Sequence, residues 1–425
     1  MPSRTAPRPS RQPAEPLGTA ARRAALRLLD AVLRRGEALE AALPAATRAV
    51  HGPDRGLAHA IAAEALRRLP DLDALIDAQT RLRLPDDAKA RFALRIALVQ
   101  ALALGTPPHA AIATVLPLVD GGPRKLVHGV FGAVMRGGAT LPEHPSLPGD
   151  TAARWAAAWG DGVVLAARRA FAAPPPLDLS LRTDDAPAPA GRSLAALHRR
   201  IDDAGAVPDL PGFAQGGWWV QDLAASLPAR LIGRGDGHVL DLCAAPGGKT
   251  CQLAAAGWRV TAVDGSESRL ARLRDNLTRT GLSADIVRAD LLDWAPPALA
   301  DAVLLDAPCS ATGIYRRHPD VLHRVTPALI AERAELQAQL LARAADWVRP
   351  GGTLVYASCS LEPAEGEEQA ERLLAVRADF TPAPPRPGEL PVPPGERGWV
   401  RTLPGMFEAE GGCDGFFVAR FRRAG

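Results

Sequence analysis

Residues 20 to 140 carry apolar side chains at the spacing of α-helices. Between Ala20 and Arg34 the apolar residues recur at intervals of three and four, and most of the arginines fall on the other faces. Glycine, proline and aspartate stand in the short links between such stretches. The pattern predicts an all-α domain over residues 18–140. Its further helices are expected at Arg55–Arg68 with Asp54 as N-cap, Leu72–Thr80, Ala88–Leu104, Ala110–Val119 and Lys125–Met135.

Residues 141 to 235 change character and predict a small α+β module that bridges two larger domains. Prolines interrupt the helical pattern. Apolar residues alternate with polar ones in one short run and stand together in another, and both arrangements are typical of strands. The expected order is a linker at Pro142–Asp150, a helix at Thr151–Phe171, a strand at Leu177–Arg182, a helix at Gly191–Asp203, a strand at Gly217–Gln221, and a helix capped by Asp222 that runs toward Ile232.

Residues 236 to 425 alternate short apolar runs with helical stretches. Strands are expected at His238–Leu242, Arg259–Val263, Ala284–Arg288, Asp301–Leu305, Thr353–Ser358, Trp399–Leu403 and Gly415–Phe421, and helices at Lys249–Ala256, Glu267–Thr280 and Pro327–Val348. Parallel strands with crossover helices, closed by an antiparallel pair, predict a doubly wound α/β sheet. The chain is therefore expected to be multidomain, with a Rossmann-like methyltransferase domain at its C-terminal end.

One stretch of this domain, Asp301–Gly313, combines a buried strand with reactive side chains. Its apolar run ends at Asp306, and Cys309 follows in a proline-containing loop. Ligands bind at the carboxyl ends of the strands in open α/β sheets. Cys359 follows the apolar run Thr353–Ser358, so we expect both thiols to face one pocket.

A second stretch, Val239–Thr250, reads VLDLCAAPGGKT and predicts a ligand-binding loop between a strand and a helix. Its glycines let backbone amides approach a ligand, and the helix N-terminus favours an anionic group. The sequence is neither a dinucleotide fingerprint nor a P-loop. Asp264 and Asp290 end the next two strands, where carboxylates can accept ribose hydroxyls and meet an adenine edge. With Asp241 in the first of these strands, the three acids at successive strand ends suit S-adenosylmethionine.

Composition limits the remaining classes of function. The 425 residues are 47% apolar and 23% charged with a formal net charge of +3, which is typical of soluble globular proteins and compatible with nucleic acid. Five cysteines show neither CxxC pairs nor metal-ligand spacing, so no metal is expected. No apolar run approaches the roughly 18 residues of a membrane span. Residues 1–17 read as a disordered basic arm without a signal-peptide core, and we expect a cytoplasmic monomer.

The paired thiols suit methylation at carbon, for example at cytosine C5. That carbon is a poor nucleophile until a thiolate adds to C6 and makes C5 enamine-like. A second acid–base group then helps to release the adduct. Asp306 could hydrogen-bond N3 and N4 of the base or carry a proton to N3. The residues alone leave open which cysteine attacks.

Several motifs resemble those of the bacterial and eukaryotic RNA cytosine-C5 methyltransferases. They are DAPCSATG at Asp306–Gly313, YASCSLEPAEGEE at Tyr356–Glu368, LDLCAAPGGKT at Leu240–Thr250, GIYRRHPD at Gly313–Asp320 and DGFFVARF at Asp414–Phe421. The helical domain resembles the antitermination factor NusB, including VHGVFGAVMR at Val127–Arg136. Together these features point to the bacterial Sun-type branch, which methylates 16S ribosomal RNA. The target named for that branch is cytosine 967.

The resemblance implies Cys359 as the nucleophile, Cys309 as the residue that assists product release, and Asp306 as a contact to the base. It implies these cofactor-binding positions: Cys243, Ala244, Ala245, Pro246, Gly247, Gly248, Lys249, Asp264, Asp290 and Asp306. Lys249 would bind the methionine carboxylate or neutralise nearby acids. The sequence departs from the family pattern at Ser358 (usually Thr), Gly366 (Asn), Ala311 (Gly), His128 (Asn) and Gly132 (Arg).

RNA is the expected partner. Arg316, Arg317 and His318 follow the catalytic loop and are candidate phosphate contacts, and Tyr315 could stack on a base. Trp218 and Trp219 are expected to pack inside the middle module, and Cys251 and Cys413 to be structural. Two other functions stay open: methylation of transfer RNA, and a non-catalytic RNA-binding role in ribosome assembly. A small-molecule or protein methyltransferase is less consistent with paired thiols.

Overall fold

The computed structural model describes residues 15–425, which form two compact units that meet between Ser146 and Leu147. This boundary lies inside the predicted linker. Residues 147–235, expected to form a module of their own, belong to the same compact unit as the α/β domain. The predicted basic arm lies outside the described residues except for residues 15–17.

The first unit is all-α within its described residues, as the periodicity predicts. Its helices are α1 (Thr19–Leu33), α2 (Leu39–Ala46), α3 (Pro53–Arg67), α4 (Leu69–Asp77), α5 (Lys89–Leu102), α6 (Pro108–Val115) and α7 (Gly121–Arg136). Helix α2 was not predicted. Helix α3 begins one residue before Asp54, so Gly52 and not Asp54 precedes it as the N-cap. Helix α5 is buried on nearly all sides, as its apolar composition requires.

The second unit begins with two helices and a small antiparallel sheet. These elements are α8 (Gly149–Trp159), α9 (Asp161–Phe171), β1 (Leu177–Leu181), β2 (His198–Ile201) and β3 (Trp218–Val220), in the strand order β2-β1-β3. The single predicted helix Thr151–Phe171 is broken at Gly160, whose φ of 82° lies outside the helical region.

The predicted helix Gly191–Asp203 is also wrong, because its second half forms β2. Arg200 is 1% exposed, and its guanidinium makes two hydrogen bonds of 2.7 Å to the carboxylate of Asp178 on β1. This buried ion pair across the strands, together with the antiparallel ladder, overrides the helical propensity of the local sequence.

The rest of the second unit is a doubly wound sheet. Its elements are α10 (Leu223–Ile232), β4 (His238–Leu242), α11 (Gly248–Ala255), β5 (Arg259–Asp264), α12 (Glu267–Thr280), β6 (Asp285–Arg288), β7 (Ala300–Asp306), α13 (Val321–Arg324), α14 (Pro327–Asp346), β8 (Val348–Ser358), α15 (Glu367–Val376), β9 (Phe380–Pro382), β10 (Val400–Thr402) and β11 (Phe416–Arg423). The strand order is β10-β11-β8-β7-β4-β5-β6, with β9 beside β11. Strand β8 begins at Val348 and not at the predicted Thr353. Val348 pairs with Ala300 on β7, and after a shift in register the ladder continues with Thr353 opposite Ala302.

The order of these strands creates a switch point between β4 and β7. The chain leaves β4 toward β5 on one side, and later returns to place β7 on the other side of β4. Strands β4 to β8 are all parallel, so their carboxyl ends lie along one edge. Ligands bind at such a point in doubly wound sheets. Within residues 15–425 there is no helix long and apolar enough to cross a bilayer.

Candidate functional site

Two thiols meet at the carboxyl ends of β7 and β8. The strands pair in parallel with Asp306 opposite Ala357, so the loops that leave them run side by side. Cys309 lies three residues beyond Asp306, and Cys359 directly follows β8. Their Sγ atoms are 3.3 Å apart, and both residues are free cysteines. The structure thus places the two thiols in one site, as the sequence predicts.

Cys359 lies in surroundings that favour its neutral thiol. Contact with the Cys309 thiol and burial raise its pKa well above the usual value, and the negative charge of Asp306 adds to this effect. The ammonium group of Lys249 acts in the opposite direction. The thiolate is the reactive form of a cysteine, and the positive charge of Lys249 favours the thiolate of Cys359.

Lys249 and Asp306 connect the cofactor loop with the thiol pair. The Nζ atom of Lys249 lies 2.7 Å from Oδ2 of Asp306 and 5.1 Å from the centre of the Phe416 ring. Lys249 is 9% exposed, whereas the Asp306 side chain is 28% exposed. The lysine therefore neutralises a nearby acid, one of the two roles expected for it, and the Asp306 carboxylate remains accessible to a ligand.

The loop between β4 and α11 turns sharply beneath the first turn of the helix. Cys243 has a φ of 60°, in the left-handed region, and Gly247 has a φ of 103°. A Cβ at Gly247 would lie 2.9 Å from Cγ of Leu273 on α12, so both the backbone angle and the space require glycine. Strained non-glycine residues of this kind concentrate at ligand sites.

Asp264 fixes this loop from the end of β5. It is 4% exposed, and its carboxylate accepts hydrogen bonds from the backbone amides of Ala245 at 3.1 Å and Ser266 at 2.9 Å. The carboxylate has further lone pairs for a ligand. Asp290 is exposed beyond β6 and accepts a hydrogen bond from the amide of Leu292.

A cavity of about 700 Å³ opens at the ends of β4, β5 and β6. Its walls combine the carboxylates of Asp264 and Asp290 with apolar side chains, and they comprise Cys243, Asp264, Gly265, Arg288, Ala289, Asp290, Leu291, Leu292, Pro308, Leu336 and Leu340. The volume and the mixture of acids with apolar surface fit an adenosine.

The charges near the loop fit the rest of S-adenosylmethionine. Asp264 and Asp306 both lie close enough to Asp241 to affect it, and two cations stand among these acids: Lys249, and Arg269 at 3.6 Å from Asp264. Burial raises the pKa of Asp241 to about 7, and its Oδ1 has no hydrogen-bond partner within residues 15–425. A local excess of negative charge favours a ligand that carries sulfonium and ammonium groups. The residues present therefore fit this cofactor.

A buried polar cluster beneath the thiols was not predicted. Glu365 is fully buried and accepts hydrogen bonds from Ser310 and Ser360, the serines that follow Cys309 and Cys359. The sequence carries one signal for it, since several glutamates follow Cys359 within ten residues. Which of them turns inward cannot be read from their spacing. Within residues 15–425 the side chains form no cluster that could hold a metal ion.

The expectation that Arg316 holds RNA phosphate is wrong, because its side chain is enclosed by the protein. It is 3% exposed and donates to the carbonyl of Gly411, with Asp414 at 3.8 Å. Arg317 is partly exposed and donates to the carbonyl of Pro176 at 2.9 Å, and His318 is half-buried. RNA contacts by Arg317 and His318 stay predictions.

The aromatic candidates lie in the core. Tyr315 is 1% exposed and packs edge-on against Trp155 and Phe171, so it does not stack on a base. Trp218 and Trp219 are buried in the small sheet, as expected. Cys251 and Cys413 are buried, and burial raises the pKa of Cys251 to about 12.

Two departures from the family pattern have structural explanations. Ala311 has a φ of 60°, a conformation that glycine adopts without strain. At Gly366, a Cβ would clash with Nη2 of Arg401 and lie 2.9 Å from Cγ of Phe417. Arg401 is held there by Glu367 at 2.6 Å, so its guanidinium occupies the space that a larger residue needs.

Comparisons with known proteins agree with this site. The profile of the family described as 16S rRNA methyltransferase RsmB/F matches residues 230–422, and that of the NusB family matches residues 19–136. The ribosomal RNA small subunit methyltransferase B of Erwinia tasmaniensis is 32% identical over 93% of this chain and 97% of its own length. The protein of the same name from Klebsiella pneumoniae strain 342 is 34% identical over 93% and 96%.

Solved structures show the same fold. The crystal structure of PH0851 covers 97% of this chain and all of its own, with a TM-score of 0.74 and 22% identity. A methyltransferase homolog protein from Pyrococcus horikoshii covers 64% of this chain and 94% of its own, with a TM-score of 0.53 and 27% identity. The chain thus belongs to the ribosomal RNA small subunit methyltransferase B family, and is an RNA methyltransferase that uses S-adenosylmethionine and carries an N-terminal domain of the NusB family.

Proposed function

We propose that the protein methylates C5 of a cytosine in 16S ribosomal RNA through a covalent bond between Cys359 and C6 of the base. The contact of 3.3 Å between Sγ of Cys359 and Sγ of Cys309, next to Asp306, is the observation that carries the proposal. Methylation of nitrogen or of a ribose hydroxyl has no need for two thiols at one strand edge. Cytosine 967 is the proposed target.

The described residues prepare the base and the nucleophile. The cytosine must leave its stack to reach the site, at a cost of about a few kcal/mol. The partly exposed carboxylate of Asp306 accepts a hydrogen bond from the N4 amino group of the base, and the Lys249 ammonium 2.7 Å away holds that carboxylate in place. Lys249 also favours the thiolate of Cys359, which adds to C6.

The addition makes C5 nucleophilic, because the electron pair of the former C5–C6 double bond is conjugated with the exocyclic nitrogen. S-adenosylmethionine, when bound in the adjacent cavity, supplies an electrophilic methyl group. Once C5 is methylated, the thiolate of Cys309 removes the C5 proton. The electrons of that C–H bond re-form the C5–C6 double bond, and Cys359 leaves as a thiolate. The short distance between the sulfurs places Cys309 beside the adduct.

The test compares the wild-type protein with Cys359→Ala and Cys309→Ala on a 16S ribosomal RNA fragment that contains cytosine 967. We expect Cys359→Ala to give neither methylated RNA nor a covalent adduct on a denaturing gel. Cys309→Ala should accumulate the adduct, because addition proceeds but release is slow. Methylation by Cys359→Ala would exclude thiol addition. Equal methylation of an unmodified transfer RNA transcript would exclude ribosomal specificity.

A further inference from the structure

One carboxylate joins the residues that follow the two thiols. Oε1 of Glu365 accepts the backbone amide of Ser310 at 2.8 Å. Oε2 accepts the hydroxyl of Ser310 and the hydroxyl of Ser360, the latter at 2.5 Å. Ser310 follows Cys309 and Ser360 follows Cys359, so a single side chain spans both loops.

The same side chain is fixed from behind. The Nε2 atom of Gln337 on α14 donates to Oε1 at 3.0 Å, and the hydroxyl of Tyr356 on β8 donates to the backbone carbonyl of Glu365 at 2.7 Å. Glu365, Gln337 and Tyr356 are all fully buried. A buried carboxylate with hydrogen bonds to both oxygens has one stable orientation, and moving it would leave several buried donors unsatisfied.

We propose that Glu365 is a positioning residue that sets the distance between Cys309 and Cys359. It touches neither sulfur, and acts through the backbone and side chains of Ser310 and Ser360. The consequence for turnover rests on the proposed function: with the thiols held in contact, Cys309 releases the adduct as fast as Cys359 forms it. The positioning itself is a property of the two thiols and does not depend on which RNA is methylated.

Two substitutions distinguish the effect of the length of the Glu365 side chain from the effect of its charge. Glu365→Gln keeps the length and can keep the hydrogen bonds, because its amide oxygen accepts from Ser310 and Gln337 while its NH2 donates to the serine hydroxyls. Glu365→Asp keeps the charge but is shorter by about 1.5 Å and does not reach both loops. If Glu365 positions the cysteines, Glu365→Gln should keep the distance between the thiols and Glu365→Asp should not.

The first measurement is the equilibrium of the thiols with glutathione disulfide, in the full-length protein without RNA. Two protein thiols and one glutathione disulfide give the Cys309–Cys359 disulfide and two molecules of glutathione. Peptide mapping by mass spectrometry separates this pair from the other cysteines. We expect Glu365→Gln to stay within about threefold of the wild-type equilibrium constant and Glu365→Asp to lower it at least about tenfold.

Glu362→Gln is the matched control. Glu362 is 4% exposed in the same loop, and its carboxylate binds Arg154 and Trp155, not the two serines. It should leave the thiol equilibrium unchanged even if it lowers the melting temperature. The proposal is overturned if Glu365→Asp matches the wild type, if Glu365→Gln is as weak as Glu365→Asp, or if the control has the same effect.

The second measurement is steady-state methylation of the 16S ribosomal RNA fragment, with the covalent adduct followed on a denaturing gel. We expect Glu365→Asp to lower kcat about 10- to 100-fold and to accumulate covalent adduct, with KM for S-adenosylmethionine within twofold of wild type. A wild-type level of adduct in Glu365→Asp would contradict the proposal. If the wild-type protein methylates no RNA, the proposed function fails, and the thiol equilibrium still decides whether Glu365 positions the cysteines.

Discussion

The two halves of the sheet's carboxyl edge are built in opposite ways. At the ends of β4, β5 and β6 a cavity of about 700 Å³ opens to solvent, and Asp290 stands exposed at its wall. At the ends of β7 and β8 the thiols are in contact, and the fully buried Glu365 joins the two serines that follow them. A cofactor that is exchanged in every cycle needs an open site, whereas covalent addition and release need fixed distances. The carboxyl edge of the sheet thus combines an open cavity at one end with a closely packed pair of thiols at the other.

One ion pair links the halves. Lys249 comes from the loop of the cofactor half, and Asp306 ends the first strand of the thiol half. Two further residues bridge them: Lys249 lies 5.1 Å from the centre of the Phe416 ring on β11, and Pro308, which precedes Cys309, lines the cavity. Substitutions away from these bridging residues should have small effects on the other half.

The largest expected effect is on the cofactor side. Asp264→Ala removes a carboxylate that accepts two backbone amides and lines the cavity, so we expect the Kd for S-adenosylmethionine to rise at least about 100-fold. Isothermal titration calorimetry without RNA measures this, and Asp293→Ala, which removes an exposed acid outside the cavity lining, is the control. The Cys309–Cys359 thiol equilibrium should change less than twofold. A larger change would show that the halves are coupled.

The next largest effect is on how the free energy of unfolding depends on pH. Asp241 is buried, and its pKa is raised to about 7 in the folded protein. Between about pH 4 and 7 the folded state binds a proton that the unfolded state does not, so this group lowers stability as pH rises through that window. Asparagine does not titrate. The free energy of unfolding of Asp241→Asn, relative to that of the wild type, should therefore increase by about 2 to 3 kcal/mol from pH 5 to pH 8. Urea unfolding without cofactor measures this difference. A constant difference across this range would contradict the assignment.

The pH dependence of the thiol side has the opposite sense. Because the pKa of Cys359 is raised, its reactive thiolate becomes more abundant with rising pH. We expect the rate of adduct formation to increase about tenfold per pH unit between pH 6.5 and 8.5 under single-turnover conditions. Lys249→Met should move this profile to higher pH, since the lysine lowers the pKa of Cys359. A rate that is flat over this range would mean that the thiolate is already formed at neutral pH.

The smallest effect tests strain in the loop after Cys309. Ala311 has a left-handed backbone, so Ala311→Gly should stabilise the protein by about 0.5 to 1 kcal/mol. Ala331→Gly on the exposed face of α14 should destabilise it by a similar amount, because glycine weakens helices. Thermal unfolding measures both. The same sign for the two variants would indicate that Ala311 is not strained.

Much of the catalytic domain was predictable because its signals are local. Buried parallel strands are continuous apolar runs, and an acid or cysteine just after such a run lies at the ligand-binding edge. The sequence alone therefore assigns Asp264, Asp306 and Cys309 to that edge. Helical periodicity is equally local, and it predicted every helix of the first unit within residues 15–146 except α2.

The failures depend on partners that are distant in the chain. Strand β2 forms because Arg200 pairs with Asp178, and Arg316 is buried because Asp414 and Gly411 enclose it. The role of Glu365 depends on Ser310, 55 residues away. No spacing rule within a helix or strand reports such contacts, so the support beneath the thiols could not be read from the sequence.

The position of β11 in the sheet has a consequence for biosynthesis. This strand lies between β8 and β10, and Phe417 pairs with Ser358, the residue before Cys359. The ribosome makes β11 after every other strand of the sheet. Until Phe416–Arg423 has emerged, the nascent domain presents β8 as an open edge, which is a template for aggregation and a target for chaperones. The part of the sheet that carries Cys309 and Cys359 is therefore completed only well after both cysteines have been synthesised.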